Sequence, residues 1–261
     1  METAPPIPDA GPAPASTSLW SRLMNVFAAP GEVFEEIKSR APATGNWLAP
    51  ALILMVAGMI SSIVILSQPD IVQQIHEQQQ KAFDKQVSAG KMTQAQADQA
   101  AAVAEKISGP AALKIYGCVG AVISSFASLF WTALWLWLIA RFYLKAPVGY
   151  LKAVEVAGLT AMIMALAAIV KTLLIVVTGN LQAALSPLLF VKHFDPHNPL
   201  HNFLALLDVM TFWVLAVRSI GLAKLTGATF GKTATAVFGV WLVISGLMIG
   251  FGLAMQAIFA K

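Results

Sequence analysis

Four charged side chains sit within long apolar runs: Glu155, Lys171, Asp208 and Arg218. A full charge at mid-bilayer costs about 2.5–3.5 kcal/mol or more, so such groups face a bundle interior and pair, or line a path for protons or ions. Lys171 stands seven residues before the end of one run at Thr178, and Asp208 five residues after the start of the next at Phe203. At about 1.5 Å per residue these depths are about 10 and 8 Å. Matched depth and opposite sign predict a Lys171–Asp208 ion pair between adjacent helices. Glu155 and Arg218 share the other end, but residues 155 and 171 are sixteen apart, about 160° around a helix, so they cannot both face the fourth run. Glu155 is expected to meet Lys152 one turn back or Arg141 across a short loop, and Arg218 to reach toward headgroups along its stem. Charges that fix helix register account for this set better than a relay, since most lie within two turns of an interface.

The segment "HFDPHNPLH" spaces His193, His197 and His201 four apart. On a helix such spacing can share a metal ion, but Pro196 and Pro199 break the helix. A structured loop is expected, with these histidines as a weak metal candidate. "LTGATFGKT" lacks the phosphate-loop spacing, since Gly227 and Gly231 are only four apart and no strand precedes it. Paired carboxylates, a Ser–Lys or Ser–His set and a convincing metal set are all missing, so neither a catalytic residue nor a cofactor is expected.

The elements that position these groups follow from composition. The chain has 261 residues, 57% hydrophobic and 11% charged, against about 25% charged in soluble domains. Five apolar runs, at about 48–67, 115–140, 153–178, 203–223 and 234–259, each reach the ~20 residues a helix needs to cross a bilayer. Lipid offers no partner to backbone polar groups, so the spans are helices. The fold class is therefore all-α: a polytopic membrane protein with a bundle of five transmembrane helices, N-terminal amphipathic helices, and an exterior helical hairpin between spans one and two. The bundle occupies 47–260.

Connections 141–152 and 218–232 carry Arg141, Lys145, Lys152, Arg218, Lys224 and Lys232 and no acid. Short basic loops stay in the cytoplasm, which puts the N-terminus inside and the C-terminus outside. Net charge is +4, spread over short loops, so nucleic acid is not an expected partner. Residues 1–18 are rich in Pro and Ala, lack the basic start and apolar core of a secretory signal, and read as a disordered tail. Residues 19–46 form a cytoplasmic amphipathic segment. Leu19, Trp20, Leu23 and Phe27 recur at helical spacing, Pro30 interrupts, and Val33, Phe34 and Ile37 form a second stripe. Membrane-surface contact through Trp20, Leu23, Phe27 and Phe34 is expected, and a partner groove would read the same way.

The exterior insertion, 68–112, has a thin apolar stripe of Ile71, Ile75 and Phe83, and the stretch 68–114 balances five lysines against five acids. Thr93 followed by Gln96 marks a capping box for its second helix. Trp47 and Trp137 fit the interfacial belt, and Trp131 and Trp135 share one helical face. Gly239, Gly246 and Gly250 in the last span predict close packing inside the bundle. Cys118 reads as a small buried hydrophobe.

Taken together, these segments resemble the Yip-domain family (Rab/Ypt-interacting proteins), in its bacterial branch. "VFAAPGEVFEEI" resembles the lead-in to the first span, and "KAVEVAGLTAMIMALAAIVKTLLIVV" the third span. "LLDVMTFWVLAVRSIGLAKLTGATFGKTATAVFGVWLV" resembles the family's closing pattern at Asp208, Trp213, Gly221, Lys232 and Trp241. Many members carry Tyr and Pro in the third span. "GLTAMIMAL" has neither, which removes the basis for a kink there. The resemblance implies five spans, a cytoplasmic N-terminus and, among eukaryotic relatives, a link to Rab GTPases and vesicle traffic.

The function expected is that of a non-enzymatic integral membrane protein of the cell membrane, in a bacterial inner membrane, that organises membrane or acts as a partner-binding scaffold. Its partners would be the lipid bilayer and another membrane or cytoplasmic protein, with a homo-oligomer left open. The alternative is a small transporter or ion carrier using Lys171, Asp208 and Glu155, but neither an internal repeat nor a mid-span proline supports it.

Overall fold

The computed structural model describes residues 17–107, 109–191 and 198–260. The tail expected over 1–18 falls almost wholly outside them. The α-helices in chain order are α1 (Leu19–Ala28), α2 (Pro30–Lys38), α3 (Gly45–Ile65), α4 (Pro69–Ser88), α5 (Gln94–Ile107), α6 (Pro110–Leu138), α7 (Tyr150–Thr178), α8 (Pro199–Leu206), α9 (Val209–Thr226) and α10 (Phe230–Ala260). No strand occurs among the described residues. Five helices are long and apolar enough to cross a membrane: α3, α6 with its π-helical extension to Tyr143, α7, α9 and α10.

Local chemistry sets the helix starts. Ser18 caps α1 through the amide of Ser21, and Asn198 caps α8 through that of Leu200. Pro30, Pro69, Pro110 and Pro199 each open a helix, where the missing N–H would have had no helical partner. At α5 the expected capping box forms reciprocally: Thr93 N donates to Gln96 Oε1 at 2.9 Å and Gln96 N to Thr93 Oγ1 at 3.3 Å.

Helix α7 is the axis of the bundle, packed against α3, α6, α9 and α1. Every residue from Ala153 to Ile163 is buried, so this half of the helix is covered on all sides. Beyond it the cover thins, and Ile169, Leu173 and Val177 are exposed. The opposite ends of the bundle thus differ. One end carries α1, α2 and the α6–α7 and α9–α10 turns (the platform end). The other carries α4, α5 and α8 (the hairpin end).

Helices α1 and α2 correct the surface reading of the N-terminal segment. Their apolar stripes pack onto the bundle. Leu23 and Phe34 are buried, with Val26, Val33 and Ile37 beside them. Phe27 is half-buried, its ring 6.1 Å from Trp213 in an edge-to-face pair. Of the four residues expected at the membrane surface, Trp20 alone keeps a largely exposed side chain. Gly221 permits the close approach of α2 and α7 to α9, and Gly158 that of α3 to α7. A Cβ on Gly158 would lie 2.3 Å from the Trp47 Cα, and one on Gly221 would lie 2.6 Å from Val156 Cγ1 and 3.2 Å from the Phe34 ring.

The last span differs from expectation in the other direction. A Cβ on Gly239, Gly246 or Gly250 would meet nothing within 4 Å. Leu242, Val243, Leu247, Met248 and Phe251 on the same helix are exposed. Helix α10 therefore touches the bundle mainly near its start, and its small residues are not spent on internal packing.

Candidate functional site: two charge clusters on one helix pair

At the platform end Glu155 is the centre of a closed polar knot. Its side chain is 1% exposed. Oε1 accepts from the Asn46 amide at 2.6 Å and from the Ala43 backbone N–H at 2.9 Å. Oε2 accepts from Lys152 Nζ at 2.7 Å, one turn back on α7. The same ammonium donates to the Ile37 carbonyl at the end of α2. Asn46 in turn accepts from Arg22 of α1 at 2.7 Å. One carboxylate thus ties α1, α2, the start of α3 and α7 together. Buried charges persist only when paired and hydrogen-bonded, and this one is both. The sequence reading of Glu155 with Lys152 is met. Asn46 and Arg22 were not among the expected partners, although a lone polar residue at the head of an apolar run was a signal.

The rim of this end is tied more loosely. Lys224 of α9 stands 3.3 Å from Glu35 of α2, and Lys38 stands 3.6 Å from the same side chain. The Lys224 hydrogen bond, followed by the Lys38 charge, holds the Glu35 carboxyl below its ordinary value of 4.5.

The other three charges surround a partly open cleft of about 440 Å³ between α7, α9, Leu54 of α3, the 184–185 turn and Trp241 of α10. Lys171, Asp208 and Arg218 all line it. The expected Lys171–Asp208 ion pair does not form: Lys171 takes part in none of the ion pairs among the described residues. The reason is local. The fourth span starts at Val209, after a break at Leu207, and Asp208 is its N-cap. Its Oδ1 accepts from Met210 N at 3.3 Å and its Oδ2 from the Thr211 hydroxyl at 3.0 Å. Asp208 is therefore a helix end and not a mid-helix charge.

Arg218 differs from expectation too. It does not reach for headgroups at the platform end. Its Nε stands 3.5 Å from Thr160 Oγ1 and its Nη2 3.3 Å from Met164 Sδ, both on α7. No carboxylate pairs with it among the described residues.

Of the three candidate metal ligands, His193 and His197 lie outside the described residues. His201 sits half-buried on α8. No group of His, Cys, Asp and Glu able to hold a metal occurs among the described residues.

The hairpin is anchored at its base. Ile71 packs with Ile175 and Ala183, and Gln74 Nε2 donates to the Gly179 carbonyl at 2.6 Å. Beyond Ile75 its side chains are mostly exposed.

Fold and site together define an all-helical, multi-pass membrane protein whose buried charges are organised for structure at one end and left open to a cleft at the other. The chain belongs to the Yip1 domain family, whose model matches residues 24–252. That match runs from within α1 into α10, so it takes in Glu155 with Asn46 and Lys152, the cleft residues Lys171, Asp208 and Arg218, and α2. No curated protein and no solved structure matches the chain.

Proposed function

We propose that this protein is a non-enzymatic membrane scaffold of a bacterial inner membrane, with the platform in the cytoplasm and the hairpin on the exterior, and that the hairpin receives a partner protein. The carrying observation is how the hairpin is held. Among the described residues, Ile71, Gln74 and Ile75 at its base join the bundle, and α5 leans on α4 with Val103 exposed. The 27 helical residues beyond Ile75, 76–88 and 94–107, then project with mostly exposed side chains. Two further features favour a scaffold over a carrier. The eleven consecutive buried residues of α7 are covered on all sides in the platform half, and Glu155, which a relay would need free, is spent on three donors. The basic loops 141–152 and 218–232 support the orientation.

The test is photo-crosslinking in native membranes from positions Gln80 and Val103. One reproducible protein adduct at both positions, absent when 70–107 is replaced by a short linker, supports the reading. Adducts to lipid alone would remove it.

A further inference from the structure

The cleft at the hairpin-end half of the bundle has a charge imbalance among the described residues. A guanidinium carries five N–H donors. Arg218 has only a hydroxyl at 3.5 Å and a thioether sulfur at 3.3 Å to offer them. Its surroundings are apolar: Leu54, Ala167, Val214 and Leu215 wall the same cleft. A cation in such a place needs an anion. Among the described residues the one acid lining the cleft is Asp208, already committed to the N-terminus of α9. It also stands ten residues from Arg218 on that helix, about 15 Å away along the axis. Lys171 adds a second cation seven residues, or about 10 Å, beyond Met164 on α7. Two cations and one occupied carboxylate leave the cleft net positive.

We propose that this cleft binds the headgroup of an anionic phospholipid, with the phosphodiester on Arg218 and Lys171 at the mouth. Guanidinium matches phosphate oxygens two at a time. The volume, about 440 Å³, lies in the ~300–1,000 Å³ range of small-molecule sites. It holds a headgroup and leaves the acyl chains to the bilayer, which the exposed Ile169 and Leu173 beside Lys171 face. A lipid reaches such a cleft sideways from the membrane, where a free phosphate ion would have to leave water. The net positive charge selects an anionic headgroup over a zwitterionic one.

The experiment uses the full chain purified in a neutral maltoside detergent. Dioleoylphosphatidylglycerol, dioleoylphosphatidylcholine and inorganic phosphate are added separately. Retained lipid is counted by native mass spectrometry, and the melting temperature is followed by tryptophan fluorescence. The expected result is retention of one phosphatidylglycerol, at least about tenfold more tightly than phosphatidylcholine, with a rise in melting temperature. Arg218→Gln removes a charge-assisted contact and is expected to weaken retention about tenfold or more. Lys171→Gln changes an exposed side chain that folding does not need, so it decides the matter even if Arg218→Gln fails to fold. Equal retention of the two lipids, or retention indifferent to Lys171→Gln, overturns the proposal. A stabilisation given in full by inorganic phosphate alone overturns it in favour of a free-anion site.

Discussion

The two ends of helix α7 handle charge in opposite ways. At the platform end Glu155 is sealed in protein, and its two oxygens accept from the Asn46 amide, the Ala43 N–H and the Lys152 ammonium. At the hairpin end Lys171 is exposed, Asp208 is busy capping its own helix, and Arg218 contacts two neutral atoms. The difference teaches that charge within an apolar run is not one phenomenon. A buried charge with several strong partners acts as a rivet. A charge beside a cleft, short of partners, is available to something else.

The largest effects should therefore fall at the platform end. Glu155→Ala leaves the Asn46 amide and the Ala43 N–H without their acceptor and Lys152 with the Ile37 carbonyl alone, and breaking a buried pair in this way costs about 3–5 kcal/mol. Lys171→Ala should stay within about 0.5 kcal/mol of wild type, as surface changes do. Reversible denaturation in detergent, run side by side, measures both, and equal losses would erase the distinction between the ends.

The next comparison lies within the platform. Phe34 is completely buried against the bundle, so Phe34→Ala is expected to cost about 3–5 kcal/mol. Trp20, on the neighbouring helix, is 66% exposed, and Trp20→Ala should leave stability almost unchanged. If both substitutions were silent for stability but weakened liposome binding, α1 and α2 would be membrane-surface helices after all.

A smaller effect is expected at Asp208. Asp208→Ala removes an N-cap, worth about 1 kcal/mol, whereas Asp208→Asn, which caps as well, should be nearly neutral. A charge pair with Lys171 would make the Asn variant as damaging as the Ala variant.

The smallest effect is pH-dependent. The folded-state carboxyl of Glu35 lies below its ordinary 4.5, so the native state binds a proton less readily than the unfolded chain. Its stabilisation is present above about pH 4.5 and is lost as pH falls through the lowered value. The melting-temperature advantage of wild type over Glu35→Gln should shrink across that window. An advantage that persists well below it would mean that the clasp to Lys224 contributes nothing.

Much of this architecture was legible in the sequence because the governing rules are one-dimensional. Twenty apolar residues in a row must be helix in lipid, and a Thr93–Gln96 spacing places a cap. Lys152 and Glu155, three apart on a helix, face each other by geometry alone. What escaped was the identity of the surface each stripe covers. Leu23, Phe27 and Phe34 lie at the same spacing whether they face lipid or protein, and the Gly221 surface that receives Phe34 is visible in the fold alone. Glycine misled elsewhere, since Gly246 and Gly250 carry the same small-residue pattern and face open space. The break before α9 was hidden because Phe203–Leu207 is as apolar as the span it precedes. Asp208 read as a charge in oil when its spacing to Met210 and Thr211 was that of a cap. Arg218 was assigned to the wrong environment because depth along a helix does not fix rotation.

The most direct test of the rivet is hydrogen–deuterium exchange over residues 19–43 in the full chain, wild type against Glu155→Ala. The backbone amide of Ala43 donates to Glu155 itself, so it reports the knot without an intermediary. Slow exchange at Ala43 and through α1 and α2 in wild type, released in Glu155→Ala while α3 and α7 stay protected, is the predicted result. Fast exchange of residues 19–43 in the wild-type protein would contradict it, because the platform would then be a loose surface segment and not part of the bundle.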